Sequence, residues 1–468
     1  MHSTAYQEFR QYYPQPGWVE HDPHEILNST LAVISRALSQ RRTRPSSIAA
    51  IGITNQRETT ILWNKNTGKP VTKAIVWQDR RTTDYCQKFK KRGWESFFRR
   101  KTGLVLDPYF SGTKILWLLD HIKGLRNQAE RGNVLFGTVD SWLLWNLTGK
   151  KIHATDATNA SRTLLLNIRK KSWDPEILKF LKIPKAILPE VKPSSYQYGN
   201  TIKIGSLISG VPICSLVGDQ QGALFGQGCY SAGEMKNTYG TGCFILVNQG
   251  KRYHPPSKGL LGTLACDVHG KPSYALEGAV FIAGAAIQWI RDGLGLIKKA
   301  SESEKIARSL KDTGGVFLVP AFTGLGAPYW NPQARGAIFG LTRGTNREHL
   351  IKAALESIAY QTADVFEAMF QILRKKPRFL KVDGGASTNN YLMQFQADLL
   401  GIPIIRSDRA ELTAWGAAKL AGLASGFWKS LKPVDRARPV VEFLPRASNR
   451  KRLQKLAEWR QAVRRLLD

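Results

Sequence analysis

The sequence predicts an α/β protein of two domains, and three observations carry that expectation. Apolar stretches of strand length alternate with stretches of helical periodicity along the chain, the pattern of a substantially parallel sheet covered by helices. At 468 residues the chain is too long for one ordinary core. Glycine is densest between residues 199 and 244, which places a boundary near 226 and divides the chain into residues 1–226 and 227–468.

The elements follow in chain order. In "HDPHE", Asp22 as N-cap, Pro23 at the first helical position and Glu25 in the first turn read as a helix start, against a metal pair of His21 and His24. "SIAAIGITNQ" is an apolar strand running into polar residues, and "TTILWN" and "KAIVWQD" are further strands. "RRTTDYCQKFKKRG" and "GTKILWLLDHIKG" carry helical periodicity and glycine stops. In the second half, "GVFLVPAF" reads as a strand, "REHLIKAALESIAYQTADVFEAMFQIL" as a long helix, "RFLKVDGG" as a strand ending in glycines, and "LTAWGAAKLAGLASG" as a small-residue helix. The C-terminal stretch "RASNRKRLQKLAEWRQAVRRLLD" reads as an amphipathic helix with Leu453, Leu456, Trp459 and Val463 on its apolar side.

Composition narrows the function classes. Hydrophobic residues at 43% against 22% charged describe a folded chain rather than a disordered one. Five separated cysteines without a C-x-x-C spacing point to neither a disulfide framework nor a zinc site, and fit the cytoplasm. The N-terminus lacks an apolar signal region, and the longest apolar run, "GAVFIAGAAIQWI", is too short and too glycine-rich to span a bilayer, so membrane insertion is not expected. The excess of 68 Lys and Arg over 36 Asp and Glu gives a net charge of +32. That charge is spread along the chain, without an RNP sequence, zinc-finger spacing or basic zipper, so nucleic acid is not the expected partner despite it.

The chemistry concentrates at strand ends, where open α/β sheets bind ligands. "GITNQRETT" delivers Gln56, Arg57 and Glu58 in succession, a fork of donors beside a carboxylate acceptor; it reads equally as a small-polyol site and as an edge ion pair. "LVGDQQGALFGQG" sets Asp219, Gln220 and Gln221 among residues that ask to be buried. "NTYGTGCFILVN" puts Gly240, Thr241 and Gly242 between two apolar strands, either as an anion nest or as an ordinary hairpin turn. "VDGGASTNNYLMQF" places Ser387, Thr388 and Asn389 at a helix start, as an anion site or a simple cap. "FIAGAAIQW" sets Gly284 and Gln288 one helical turn apart on a small-residue face, which admits a phosphate chain or a close packing contact. A Walker A sequence and the protein-kinase H-R-D and D-F-G triplets are absent.

Taken together, "PGWVEHDP", "GITNQRETT", "AIVWQDRR", "DPYFSGTK", "GDQQGALFGQ", "NTYGTGCF", "YALEGAVF", "TGLGAPYW", "ARGAIFGLTRG" and "DGGASTNN" resemble the glycerol kinases of the FGGY carbohydrate-kinase family. The resemblance runs from Tyr12 to about Trp428. It implies two actin- and hexokinase-like (ribonuclease H-like) ATPase domains around a central cleft, a first domain that binds glycerol and a second that binds the nucleotide. Glycerol would meet Arg57, Glu58, Tyr109, Asp219 and Gln220, with Trp77 and Phe244 walling its carbon side. ATP would touch Thr241, Gly284, Gln288, Gly385 and Asn389. Asp219 would be the general base and would hold magnesium through water, and the assembly would be a homodimer or homotetramer.

One departure from the family pattern sets a further expectation. The loop of form D-x-G-T-[TS]-S that opens typical members, with its two flanking strands, does not occur in this sequence. The first domain is therefore expected to be truncated at its start. The chain then reads either as the later part of an active kinase whose start was placed at an internal methionine, or as a truncated, inactive kinase-like protein.

Overall fold

The computed structural model describes residues 2–331, 333–408, 411–435 and 440–468. The chain divides into two compact units: residues 1–226, 263–274 and 413–434 form the first, and residues 227–262, 275–412 and 435–468 the second. Segments 263–274 and 413–434, which a single division at 226 assigns to the second half, thus belong with the first unit. Long-range packing places them there. Ser161 Oγ and Thr263 Oγ1 lie 2.9 Å apart, and the helix Leu412–Ala424 lies against the helix Asp219–Gly226.

The first unit is built on a three-stranded sheet in which Pro212–Gly218 is central, antiparallel to Ser195–Asn200 and parallel to Ile51–Asn55. After a register shift between Ile213 and Ser215, the parallel pair runs in register to its end, with Gly218 opposite Asn55. Because both strands run the same way, the residues that follow them, 56–58 and 219–221, emerge side by side at the carboxyl edge. Ile53, Trp63, Trp142, Leu144, Ile213 and Leu216 share one buried cluster beneath them. These residues are buried, and helix Leu412–Ala424 presses on Gly52 of the strand.

The second unit holds most of a seven-stranded sheet, in the order Leu261–Cys266, Pro272–Val280, Cys243–Gly250, Met235–Tyr239, Leu380–Asp383, Ile404–Ser407 and Val440–Phe443. Met235–Tyr239 pairs antiparallel with Cys243–Gly250 and parallel with Leu380–Asp383. The long helix Arg347–Leu373 covers it with a face containing Ile351, Leu355, Ile358 and Val365. Its N-terminus is closed by Asn346, which accepts from the His349 N–H at 3.2 Å.

Local readings meet local physics at most places. Asp22 caps Pro23–Gln40, accepting from the His24 N–H at 2.8 Å. "KAIVWQD" is a strand only at Ala74–Ile75; the chain turns at Trp77 instead. In the C-terminal helix Asn449–Leu467, Leu456, Trp459 and Val463 are buried, whereas Leu453 stays 54% exposed and lies on the solvated side. The five cysteines are all buried and none is in a disulfide. Among the described residues no helix is long and apolar enough to cross a membrane.

Helix Leu412–Ala424 reaches the helix that begins at Asp219 only because glycines face each other: a Cβ at Gly416 would lie 1.9 Å from the Gly222 carbonyl oxygen. Gly416→Ala is therefore expected to force the two helices apart and cost ~1–3 kcal/mol by overpacking. A lowered thermal unfolding midpoint checks this; an unchanged midpoint would contradict the contact.

Candidate functional site

The carboxyl edge of the first unit gathers four of the residues singled out in the sequence. Arg57 and Glu58 follow the strand Ile51–Asn55, and Asp219 and Gln220 open the helix that follows Pro212–Gly218. Arg57 Nε lies 3.1 Å from Asp219 Oδ1 and 3.9 Å from Glu58 Oε1. Its Nη1 donates to Gln221 Oε1 at 3.2 Å. Gly218 makes room for this: a Cβ there would stand 2.7 Å from Arg57 Cδ. Tyr109 belongs to the same unit, and its ring meets Trp77 edge-on with centroids 5.5 Å apart. Trp77 and Tyr109 are both half-buried.

Burial divides the charges into two kinds. Arg57 is 2% exposed and Glu58 1%, while the Asp219 side chain keeps 35% of its surface open. Charges removed from water are tolerated only when paired. Here a second guanidinium completes the set: Arg162 Nε donates to Glu58 Oε1 at 2.6 Å. Arg162 itself is fully buried, with Cζ 5.5 Å from the Tyr109 ring centroid and 5.3 Å from that of Phe110. The result is a fixed, water-poor cluster beside one carboxylate that solvent or a ligand can reach.

A hydrogen-bond frame fixes the two strand ends. Asn55 and Asn159 exchange side-chain amide bonds at 3.1 Å in both directions. The Gly218 N–H donates to Thr158 Oγ1 at 2.9 Å. Both partners start from Asp156, which accepts from the Thr158 and Asn159 N–H groups at 2.9 Å each. Burial pushes the Asp156 carboxyl up, against the pull of its hydrogen bonds from Ser194 and Thr158. Gln221 is held by Thr263 Oγ1 at 3.0 Å and the Leu264 carbonyl at 3.1 Å.

Arg162 and Gln221 were not among the candidates chosen from sequence. The signal for Gln221 was present, a second amide beside Asp219 in an apolar run. Arg162 sits in "TNASRT" with no local mark of its role, since its partner Glu58 is 104 residues away.

The remaining candidates lie in the second unit. Gly240, Thr241 and Gly242 form the loop of an antiparallel hairpin closed by the pair Tyr239 and Cys243. This loop and the helix Gly284–Gln288 are in close contact. The Gly284 N–H donates to the Gly240 carbonyl at 3.0 Å, and the Ala283 and Ala285 N–H groups to the Thr241 carbonyl at 2.8 and 3.1 Å. Those N–H groups are occupied by the chain itself, and Gly284 serves the approach: a Cβ there would lie 2.6 Å from the Gly240 carbonyl oxygen. Gln288, one turn on, is exposed.

On the other side of the loop, Gly384 has φ of +89°, and a Cβ there would lie 2.4 Å from the Tyr239 carbonyl oxygen. Gly385 next to it faces open space. Asn389 caps the helix Asn390–Leu400, accepting from the Leu392 N–H at 2.9 Å. The structure therefore brings the segments bearing Thr241, Gly284 and Gly385 together. Phe244 lies on the strand after the loop, half-buried, in this second unit. Among the described residues no group of three or more His, Cys, Asp or Glu side chains stands ready to hold a metal ion.

Comparison with known proteins adds the family. Residues 1–226 match the N-terminal domain, and residues 235–425 the C-terminal domain, of the FGGY family of carbohydrate kinases. Glycerol kinase 2 of Thermotoga maritima is 56% identical over 473 residues, covering 99% of this chain and 94% of that protein. A glycerol kinase of Carboxydothermus hydrogenoformans is 55% identical over 99% of this chain and 93% of its own length. Among solved structures, glycerol kinase of Plasmodium falciparum with ADP superposes with a TM-score of 0.92 at 36% identity, over 99% of this chain and 93% of that one. These matches give no support to the expected truncation of the first domain.

Removing Arg162 would leave Glu58 Oε1 buried without its 2.6 Å donor. Arg162→Met is expected to destabilise the first unit by about 3–5 kcal/mol, the usual consequence of breaking a buried ion pair from one side. Calorimetric unfolding checks it; a wild-type transition would show that Glu58 does not depend on Arg162.

Proposed function

The chain belongs to the FGGY family of carbohydrate kinases, and from that premise we propose that it transfers the terminal phosphoryl group of ATP to glycerol, giving sn-glycerol 3-phosphate and ADP. The observation that carries this reading is the buried Arg57 and Glu58 pair beside the half-open carboxylate of Asp219. The names of the relatives, glycerol kinases at 55–56% identity, support the same substrate. Neither they nor the site favours an inactive kinase-like chain.

A triol needs a donor and an acceptor for its hydroxyls and an apolar wall for its carbon chain. Arg57 supplies donors and Glu58 an acceptor, with Gln220 and the Tyr109 hydroxyl as further polar contacts; Trp77 and Phe244 would cover the carbons. A primary alcohol is a poor nucleophile at neutral pH. Asp219 is assigned as the base that takes its proton as the phosphoryl group transfers. Arg57, 3.1 Å from Asp219 Oδ1, keeps that carboxylate oriented.

The nucleotide is assigned to the second unit, on Thr241, Gly284, Gln288, Gly385 and Asn389. Open space at Gly385 and the exposed Thr241 and Gln288 side chains leave room for it. A single accessible carboxylate suits magnesium that arrives with ATP, because this ion keeps several waters and needs only one or two protein carboxylates. When bound with ATP it would neutralise charge on the phosphates, with Asp219 holding it through water. The proposal extends to a cytoplasmic enzyme, consistent with cysteines that form no disulfide, working as a homodimer or homotetramer.

Asp219→Asn keeps the shape and the contact with Arg57 but removes the base. Glycerol-dependent ADP release should fall by ~10²–10⁴-fold, while glycerol still binds by calorimetry. Turnover close to wild type in this variant would remove Asp219 from the mechanism.

A further inference from the structure

Glu58 is one of the few non-glycine residues in a left-handed conformation, with φ of +61°. The Thr59 N–H donates to the Arg57 carbonyl at 2.7 Å across it, so Glu58 is the centre of a γ-turn of positive φ. Such a turn is rare and strained, and persists only where the surroundings over-determine it. The reversal points the Glu58 carbonyl inward, where it accepts from Ser111 Oγ at 3.0 Å, from Thr60 Oγ1 at 3.1 Å and from Lys114 Nζ at 3.4 Å. Lys114 Nζ also donates to the Tyr109 carbonyl at 2.9 Å.

Ser111 and Lys114 stand on the first turn of the helix Ser111–His121, and both are fully buried. A leucine at 114 would fill the same space without desolvating a charge. Burial pushes the Lys114 ammonium down to about 7, with Glu58, Asp79 and Asp107 opposing that shift and Arg80 adding to it. This buried lysine therefore costs stability, and what it gains is a bridge between two carbonyls, those of Glu58 and Tyr109.

We propose that Ser111 and Lys114 are positioning residues for the polyol pocket. They hold the reversed Glu58 turn and tie it to the Tyr109 backbone, so that the carboxylate of one and the ring of the other meet the same small substrate. The proposal rests on the reading of Glu58 and Tyr109 as glycerol ligands. Neither Ser111 nor Lys114 touches the substrate; both act through the backbone of residues that do.

The test is steady-state ADP release with glycerol and ATP varied separately, on wild type, Lys114→Met, Ser111→Ala and Leu119→Ala. Leu119 is buried on the same helix and truncating it loosens that helix without removing a donor to Glu58. The glycerol KM should rise about tenfold or more in Lys114→Met and about threefold in Ser111→Ala, with the ATP KM within about twofold of wild type, as expected when one binding group is misplaced. Leu119→Ala should keep the wild-type glycerol KM.

If Lys114→Met does not fold, Ser111→Ala decides. An unchanged glycerol KM in the folded donor variants, or an equal rise in Leu119→Ala, overturns the positioning role and leaves the glycerol assignment standing. Absence of glycerol-dependent ADP release in the wild type overturns both.

Discussion

The parallel pairing of Ile51–Asn55 with Pro212–Gly218, in register to Asn55 and Gly218, is the constraint on which the site depends. Side-chain direction alternates along a strand, so a slip of one residue would turn every apolar side chain to the wrong face. The buried cluster of Ile53, Ile213 and Leu216 therefore fixes the register, and the register fixes which residues leave the sheet together. Arg57 and Asp219 are 162 positions apart in sequence, yet their 3.1 Å contact follows from two strands ending level.

Electrostatics then separates roles among groups of similar chemistry. Glu58 is a carboxylate enclosed by protein and flanked by Arg57 and Arg162, so it is held as an acceptor with little freedom. Asp219 shares Arg57 but stays partly open, which suits a group that exchanges a proton with a ligand. The strain of the Glu58 turn is balanced by donors from a separate helix. A preorganised cluster of this kind needs little rearrangement when a hydroxyl arrives, which is how enzymes limit the reorganisation of polar groups during reaction.

Much of this arrangement was legible in the sequence, and the remainder was not for identifiable reasons. Strand ends, glycine turns and caps are local, so "GITNQRETT", "GDQQ" and "HDPHE" declared themselves. The long helix Arg347–Leu373 matched its periodic stretch because its apolar face is continuous. "KAIVWQD" failed as a full strand because its ladder pairing covers Ala74–Ile75, after which the Asp79 N–H bonds back to the Val76 carbonyl and the chain turns at Trp77. Arg162 and Lys114 escaped notice because each acts on a residue far away in the chain. The return of 263–274 and 413–434 to the first unit depends on contacts such as Gly222 with Gly416, which no local pattern announces. Leu453 had the right spacing but stays 54% exposed.

In the proposed function, the buried guanidinium and carboxylate pair beside an open aspartate selects a three-carbon polyol. The direct measurement is ATP-dependent phosphoryl transfer by the purified chain to glycerol, a pentulose and gluconate, compared as kcat/KM. Glycerol should be ahead of both by ~10²-fold or more, since larger substrates leave paired groups mismatched. Equal or faster transfer to the pentulose or to gluconate would contradict it.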